Sequence, residues 1–182
     1  MTHVMLDLET MGSGSYAAII SIGAAAFTLS FPQEIISTFY SRVSLASSVK
    51  AGLRMDPATV EWWLEPERAE AWASLQATPA VELDEALLGF SEWFCRIDEG
   101  QACVWGNGAT FDNVILSNAY QATGLDKPWA YNKDRCFRTL KSEILPPVRA
   151  DEYGTKHNAL DDAIAQAKHL QKIVNLRHLT VS

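Results

Sequence analysis

An apolar run, Val4-Met5-Leu6, ends on the acidic stretch Asp7-Leu8-Glu9-Thr10 and reads as a short buried strand. Alternate strand side chains share a face, so Asp7 and Glu9 are expected to point one way and Leu6 and Leu8 the other. Glycine and serine at 11–15 predict a turn. Two further apolar or β-branched stretches, 17–29 and 34–43, are broken by Phe31-Pro32-Gln33, which predicts an antiparallel hairpin.

Helical signals follow. Asp56-Pro57 offers a cap and a first-turn proline for a helix over 58–64, and a second helix is expected over 66–75. Leu87, Leu88, Phe90, Phe94 and Ile97 keep near-helical spacing within 84–97. A strand over 102–105 ends in Gly106-Asn107-Gly108. Thr110 then caps a helix running to about 123, with Gly124 as its stop. A brief strand near 129–131 precedes Asp134, read as the cap of a helix over 135–144. After Pro146-Pro147 a loop runs to His157, and the last helix starts at Asn158, with Asp161 placed for a near capping box. Strands first, then strands alternating with helices, predict an α/β fold with a mixed sheet, its chemistry in the crevice where strand ends and helix starts meet. No repeat or linker divides residues 1–182, which read as one domain.

Composition narrows the classes. The 48% hydrophobic and 20% charged content of the 182 residues is that of a globular protein rather than a disordered one. A formal charge of −7 argues against coating nucleic acid through a broad basic surface, but not against a site where bound cations attract phosphate locally. Cys95, Cys103 and Cys136 form no CxxC pair, and no secretory signal or membrane-length apolar run is present, so reduced thiols in a cytoplasmic protein are expected.

The charges at element ends are then the chemistry to explain. Asp7 and Glu9 close the first strand, Asp112 lies in the first turn of its helix, and Asp162 lies one turn into the last helix. Acids in first helical turns also simply favour the helix dipole, and that reading stands for Asp112 or Asp162 taken singly. Together with His157, five residues before Asp162, they suggest an oxygen-rich site for Mg²⁺ or Mn²⁺. Two such ions about 4 Å apart suit phosphoryl displacement, with a near-neutral histidine as general base. His3, His169 and His178 read as structural or solvated. Trp62 and Trp63 lie about 100° apart on their helix, so one is expected to be structural; the other is a possible subunit contact or base-stacking platform, with burial of both the simpler expectation.

Asp7-Leu8-Glu9-Thr10, Trp105-Gly106-Asn107-Gly108-Ala109-Thr110-Phe111-Asp112 and His157-Asn158-Ala159-Leu160-Asp161-Asp162 resemble the three motifs of the DEDDh (DnaQ-like) exonuclease superfamily. The resemblance is to its RNase T-like branch, with phage-type 3′–5′ exonucleases and small bacterial exoribonucleases, and the segment from Met55 to Trp63 is similar to that branch as well. It implies an RNase H-like fold with a five-stranded mixed sheet. Asp7, Glu9, Asp112 and Asp162 would bind two divalent ions (Mg²⁺ or Mn²⁺), and His157 would be the base. The implied activity is release of nucleoside 5′-monophosphates from single-stranded DNA or RNA 3′ ends, and related enzymes commonly form homodimers. The superfamily's other branch has Tyr four residues before the last aspartate; Asn158 stands there, and Tyr153 is too far upstream, so the histidine branch fits. Spacing from His157 favours Asp162 over Asp161 as the ligand, leaving Asp161 to cap the helix.

Thr10, Met11, Asn107 and Phe111 are candidate contacts to the terminal nucleotide, and Arg135, Arg138 and Lys156 candidate phosphate contacts, each with an ordinary structural or surface role as its alternative. Two other readings stay open: a nucleic-acid-binding module of the same fold without catalysis, and a phosphodiesterase for very short oligonucleotides or dinucleotides.

Overall fold

A computed structural model describes residues 1–30 and 32–177; Phe31 of the hairpin break and His178 lie outside the described residues. The three N-terminal strands form as expected: β1 (Thr2–Thr10), β2 (Ile19–Thr28) and β3 (Ile35–Arg42). With β4 (Cys103–Gly106) and β5 (Asp134–Cys136) they make one five-stranded sheet in the order β3-β2-β1-β4-β5. β1 runs antiparallel to β2 and parallel to β4, so the sheet is mixed and the acidic strand lies at its centre.

Alternation along β1 divides the interior into two layers. Val4, Leu6 and Leu8 face a core built with α4 (Leu83–Arg96) and α5 (Asp112–Thr123). Met5 faces the opposite core, where Ala25, Phe27, Trp105 and Phe137 pack against Ala163, Ala167, Leu170 and Ile173 of α7 (Ala159–Arg177). Each large apolar side chain buried in this way contributes about 1.5–3 kcal/mol. Asp7 pairs with Gly23, and a Cβ at Gly23 would lie 2.1 Å from the backbone carbon of Ala159. Only glycine lets the start of α7 lie against β2, beside the acidic end of β1.

Several local expectations change. α2 (Pro57–Trp63) is capped by Asp56 as expected, but the helix over 66–75 splits into a 3₁₀ turn (Pro66–Arg68) and α3 (Ala69–Gln76). A short helix, α1 (Leu45–Lys50), capped by Ser44, was hidden in a serine-rich stretch lacking an apolar stripe. The strand near 129–131 is displaced: Tyr131–Lys133 is a 3₁₀ turn and the strand is β5, followed by the shorter α6 (Phe137–Glu143). Asp134 is therefore no helix cap. It accepts hydrogen bonds from Asn113 Nδ2 at 2.7 Å and Trp129 Nε1 at 2.9 Å, and Lys127 Nζ lies 3.7 Å away. Thr110 does not cap α5 either, since Phe111 holds the N-cap position without a side-chain cap. At α7, Asn158 Oδ1 accepts from the backbone of Leu160 and Asp161, making Asn158 the cap, while Asp161 instead accepts from Thr155 N. Among the described residues no helix is long and apolar enough to cross a membrane.

Candidate active site

β1, α5 and α7 bring their acids to one place. Asp7, Glu9, Asp112, Asp162 and His157 line a single crevice of about 310 Å³, together with Leu8, Asn107, Phe111, Arg138 and Gln166. Asp7 and Glu9 share the α7 side of β1. Asp112 reaches the same end of the strand from α5, accepting the Leu8 N–H at 3.3 Å across 104 residues of sequence. Gly106 makes that approach possible, because a Cβ there would lie 2.4 Å from Asn113 Oδ1 and 3.1 Å from the Asp112 carboxylate. Asp162 is fixed by the His157 N–H, which donates to its Oδ2 at 2.8 Å.

Glu9 and Asp112 are buried and Asp7 and Asp162 half-buried, and among the described residues no salt bridge reaches any of them. Asp7 titrates well above its ordinary range because burial, then Asp112, Glu9 and Asp162, disfavour its charge, against one hydrogen bond from Gln166. Glu9 is pushed up to about 8 by burial and by Asp162 and Asp112. Asp112 is raised to about 7 by burial, opposed by backbone N–H groups and by Arg138. Burial also raises Asp162. Ionisation of one acid makes ionisation of the next harder, a conflict that divalent cations relieve. One oxygen or nitrogen each from Glu9, His157 and Asp162 lies within 4.8 Å of the others, and four carboxylates are the donor set of hard cations such as Mg²⁺ and Mn²⁺. The residues fit a divalent-metal centre.

His157 stands at the rim with φ of 63°, a left-handed conformation uncommon outside glycine. Its ring meets Trp62 edge to face at 5.0 Å, and the Arg68 guanidinium lies 4.2 Å from the centre of the Trp62 ring. Partial burial, then Arg68, lowers the imidazole pKa, leaving it neutral and able to accept a proton at pH 7. Trp63 is buried and donates to Thr10 O at 3.0 Å. Of the tryptophan pair one is thus structural, while Trp62 is half-buried against His157 with one face covered by Arg68.

The expected substrate contacts divide. Asn107, Phe111 and Arg138 line the crevice, whereas Thr10 and Met11 are buried outside its lining and the Thr10 hydroxyl donates to Gly12 O. Arg135 donates to the carbonyls of Asn132 and Asp134. Lys156 lines a neighbouring cavity of about 640 Å³ that shares His157 and Asp162 with the crevice. His3 is structural, accepting from Trp105 Nε1, and His169 contacts Val148 O. Sequence reasoning passed over Gln166, which donates to Asp7 Oδ1 at 2.8 Å. Its position four residues after Asp162, on one helical face, was the available signal. Lys141, which donates to Asn107 Oδ1 at 2.9 Å, carried no comparable signal.

The sheet order, with helices on both faces, defines a protein of the RNase H-like fold. Two solved structures share it. "Cell-death related nuclease 4 (CRN-4)" has a TM-score of 0.63 and 16% identity, over 96% of this chain and 64% of that one. A "full-length 3′-exonuclease" has a TM-score of 0.58 and 14% identity, over 97% of this chain and 82% of that one. The family model described as "3′-5′ exoribonuclease Rv2179c-like domain" matches residues 2–174, and the chain belongs to that family. It is also similar to an exodeoxyribonuclease of Enterobacteria phage T4, 29% identical over 126 residues, which are 64% of this chain and 54% of the relative. The chain thus spans about half the length of that curated relative.

Proposed function

We propose that the protein is a DEDDh-type 3′–5′ exonuclease of the RNase T-like kind. It would remove nucleoside 5′-monophosphates from single-stranded DNA or RNA 3′ ends as a cytoplasmic homodimer. The observation that carries this reading is the convergence of Asp7, Glu9, Asp112 and Asp162 from three separate elements on one crevice with His157 at its rim. Neither a helix-dipole role nor a frayed strand end accounts for four acids held together at the cost of their own ionisation.

Asp7, Glu9, Asp112 and Asp162 would hold two divalent ions. When bound, these supply Lewis acidity at the phosphate and charge compensation for the leaving oxygen. Gln166 orients Asp7 through its hydrogen bond, and the His157 backbone orients Asp162. The neutral His157 ring takes a proton from the attacking water as the new P–O bond forms. The P–O3′ bond breaks, and the 3′ oxygen regains a proton from solvent. Asn107, Phe111 and Arg138 border the path of the strand.

The test is digestion of matched single-stranded DNA, single-stranded RNA and duplex, each with a 5′ or 3′ label, in Mg²⁺, Mn²⁺ or EDTA. The expected result is metal-dependent shortening from an unblocked 3′ end, stopped by a 3′-phosphate. Cutting from the 5′ end refutes the polarity, and undiminished cutting in EDTA refutes the metal assignment.

A further inference from the structure

Beside its acids the crevice is lined by one arginine, Arg138, and by Asn107, which a lysine holds from behind. Arg138 is exposed at its edge, and its guanidinium lies against Gly108: a Cβ there would sit 3.1 Å from the guanidinium carbon. The backbone at Gly108 has φ of 132°, so glycine is needed for conformation as well as for space. Lys141 lies three residues on, one turn along α6, and donates to Asn107 Oδ1. Among the described residues the ion pairs are Lys127 with Asp134 and Lys172 with Asp151, so neither Arg138 nor Lys141 has a carboxylate partner. The two cations are close enough to oppose each other: partial burial, then Arg138, lowers the Lys141 pKa. Arg138 favours the charged form of Asp112, a carboxylate that would be shared with a divalent ion were one held there. With its oxygen committed to Lys141, the Asn107 side chain presents its amide hydrogens. In a chain with 22 acidic and 15 basic residues, two neighbouring basic groups with no salt bridge among the described residues are suited to an anionic ligand.

We propose that Arg138, Lys141 and Asn107 form a subsite for the uncleaved phosphodiester next to the scissile one on the same strand. This rests on the exonuclease reading. The carboxylates would attract phosphate only through bound metal, whereas Arg138 and Lys141 attract it directly, so the acids serve the cleaved phosphate and the basic pair grips its neighbour.

The experiment compares a dinucleotide, with one phosphodiester, and a trinucleotide, with two. Wild type is expected to favour the trinucleotide through a lower KM. Arg138→Gln and Lys141→Gln should each raise the trinucleotide KM about tenfold, with the dinucleotide KM shifting far less, so that the preference collapses. Lys141→Arg, which keeps the charge, should retain it. No trinucleotide preference in wild type, an unchanged preference in both glutamine variants, or equal losses on both substrates would overturn the proposal. Binding of a labelled single-stranded oligonucleotide in Ca²⁺ gives a readout independent of turnover: each glutamine variant should reduce the salt slope by about one. If wild type cleaves nothing, the activity reading has failed, and an unaltered slope then overturns the subsite separately.

Discussion

Two aspartates of the same sheet show how differently one side chain is treated. Asp134, at the start of β5, receives hydrogen bonds from Asn113 and Trp129 and lies near Lys127. Asp7, at the centre of the sheet, receives one from Gln166 and is surrounded by Glu9, Asp112 and Asp162. The first carboxylate has donors enough to tie β5 to α5 and the preceding turn. The second is packed among its own kind, an arrangement that costs stability unless a cation arrives. A half-buried acid surrounded by donors supports the fold; one surrounded by other acids belongs to chemistry.

The contrast is broken most severely by Asp7→Asn, which should abolish metal-dependent hydrolysis, a fall of at least about 10³-fold in kcat. The same substitution should raise the melting temperature of the metal-free protein; full activity in the variant would remove Asp7 from the metal site. His157→Ala should lower the rate by about 10²–10⁴-fold, the loss expected for the general base proposed above. A wild-type rate at pH 7 would place the base elsewhere.

Asp134→Ala should leave kcat nearly intact and cost about 1–3 kcal/mol in denaturant unfolding, since it strips partners from the buried donors of Asn113 and Trp129. A stability equal to wild type would break the comparison from the other side. A pH dependence tests the acidic cluster as a whole. The folded pKa of Glu9, about 8, and of Asp112, about 7, lie above the ordinary 4.5 and 3.8. Folding stability from these groups is therefore fully present below about pH 4 and is lost as pH rises through 7 and 8. Thermal unfolding of metal-free protein should show that decline, and saturating Mg²⁺ should flatten it. A decline unaffected by Mg²⁺ would assign it to other groups.

Much of this was readable from local pattern. Alternation along Val4 to Glu9 placed Leu6 and Leu8 in one layer and Asp7 and Glu9 in the other, and the proline break foretold the β2–β3 hairpin. Asp56-Pro57 opened α2 and Gly124 ended α5 because caps and stops act within one helical turn. The five-residue spacing from His157 to Asp162 was also local, and the His157 N–H does reach the Asp162 carboxylate. Asp134 misled for the opposite reason. A good capping residue has no local mark to show that Asn113 and Trp129 will claim its oxygens.

The sequence alone therefore determined which residues share a strand face or a helix turn, since those follow from backbone periodicities of two and 3.6 residues. Tertiary structure decided what those faces meet. It set Gly23 beneath the start of α7, Asp112 against Leu8 N, Trp62 against His157 and Lys141 against Asn107. Such contacts depend on strand register and helix packing between segments far apart in the chain. The same forces that bury the apolar layers bring four acids and Arg138 to one crevice.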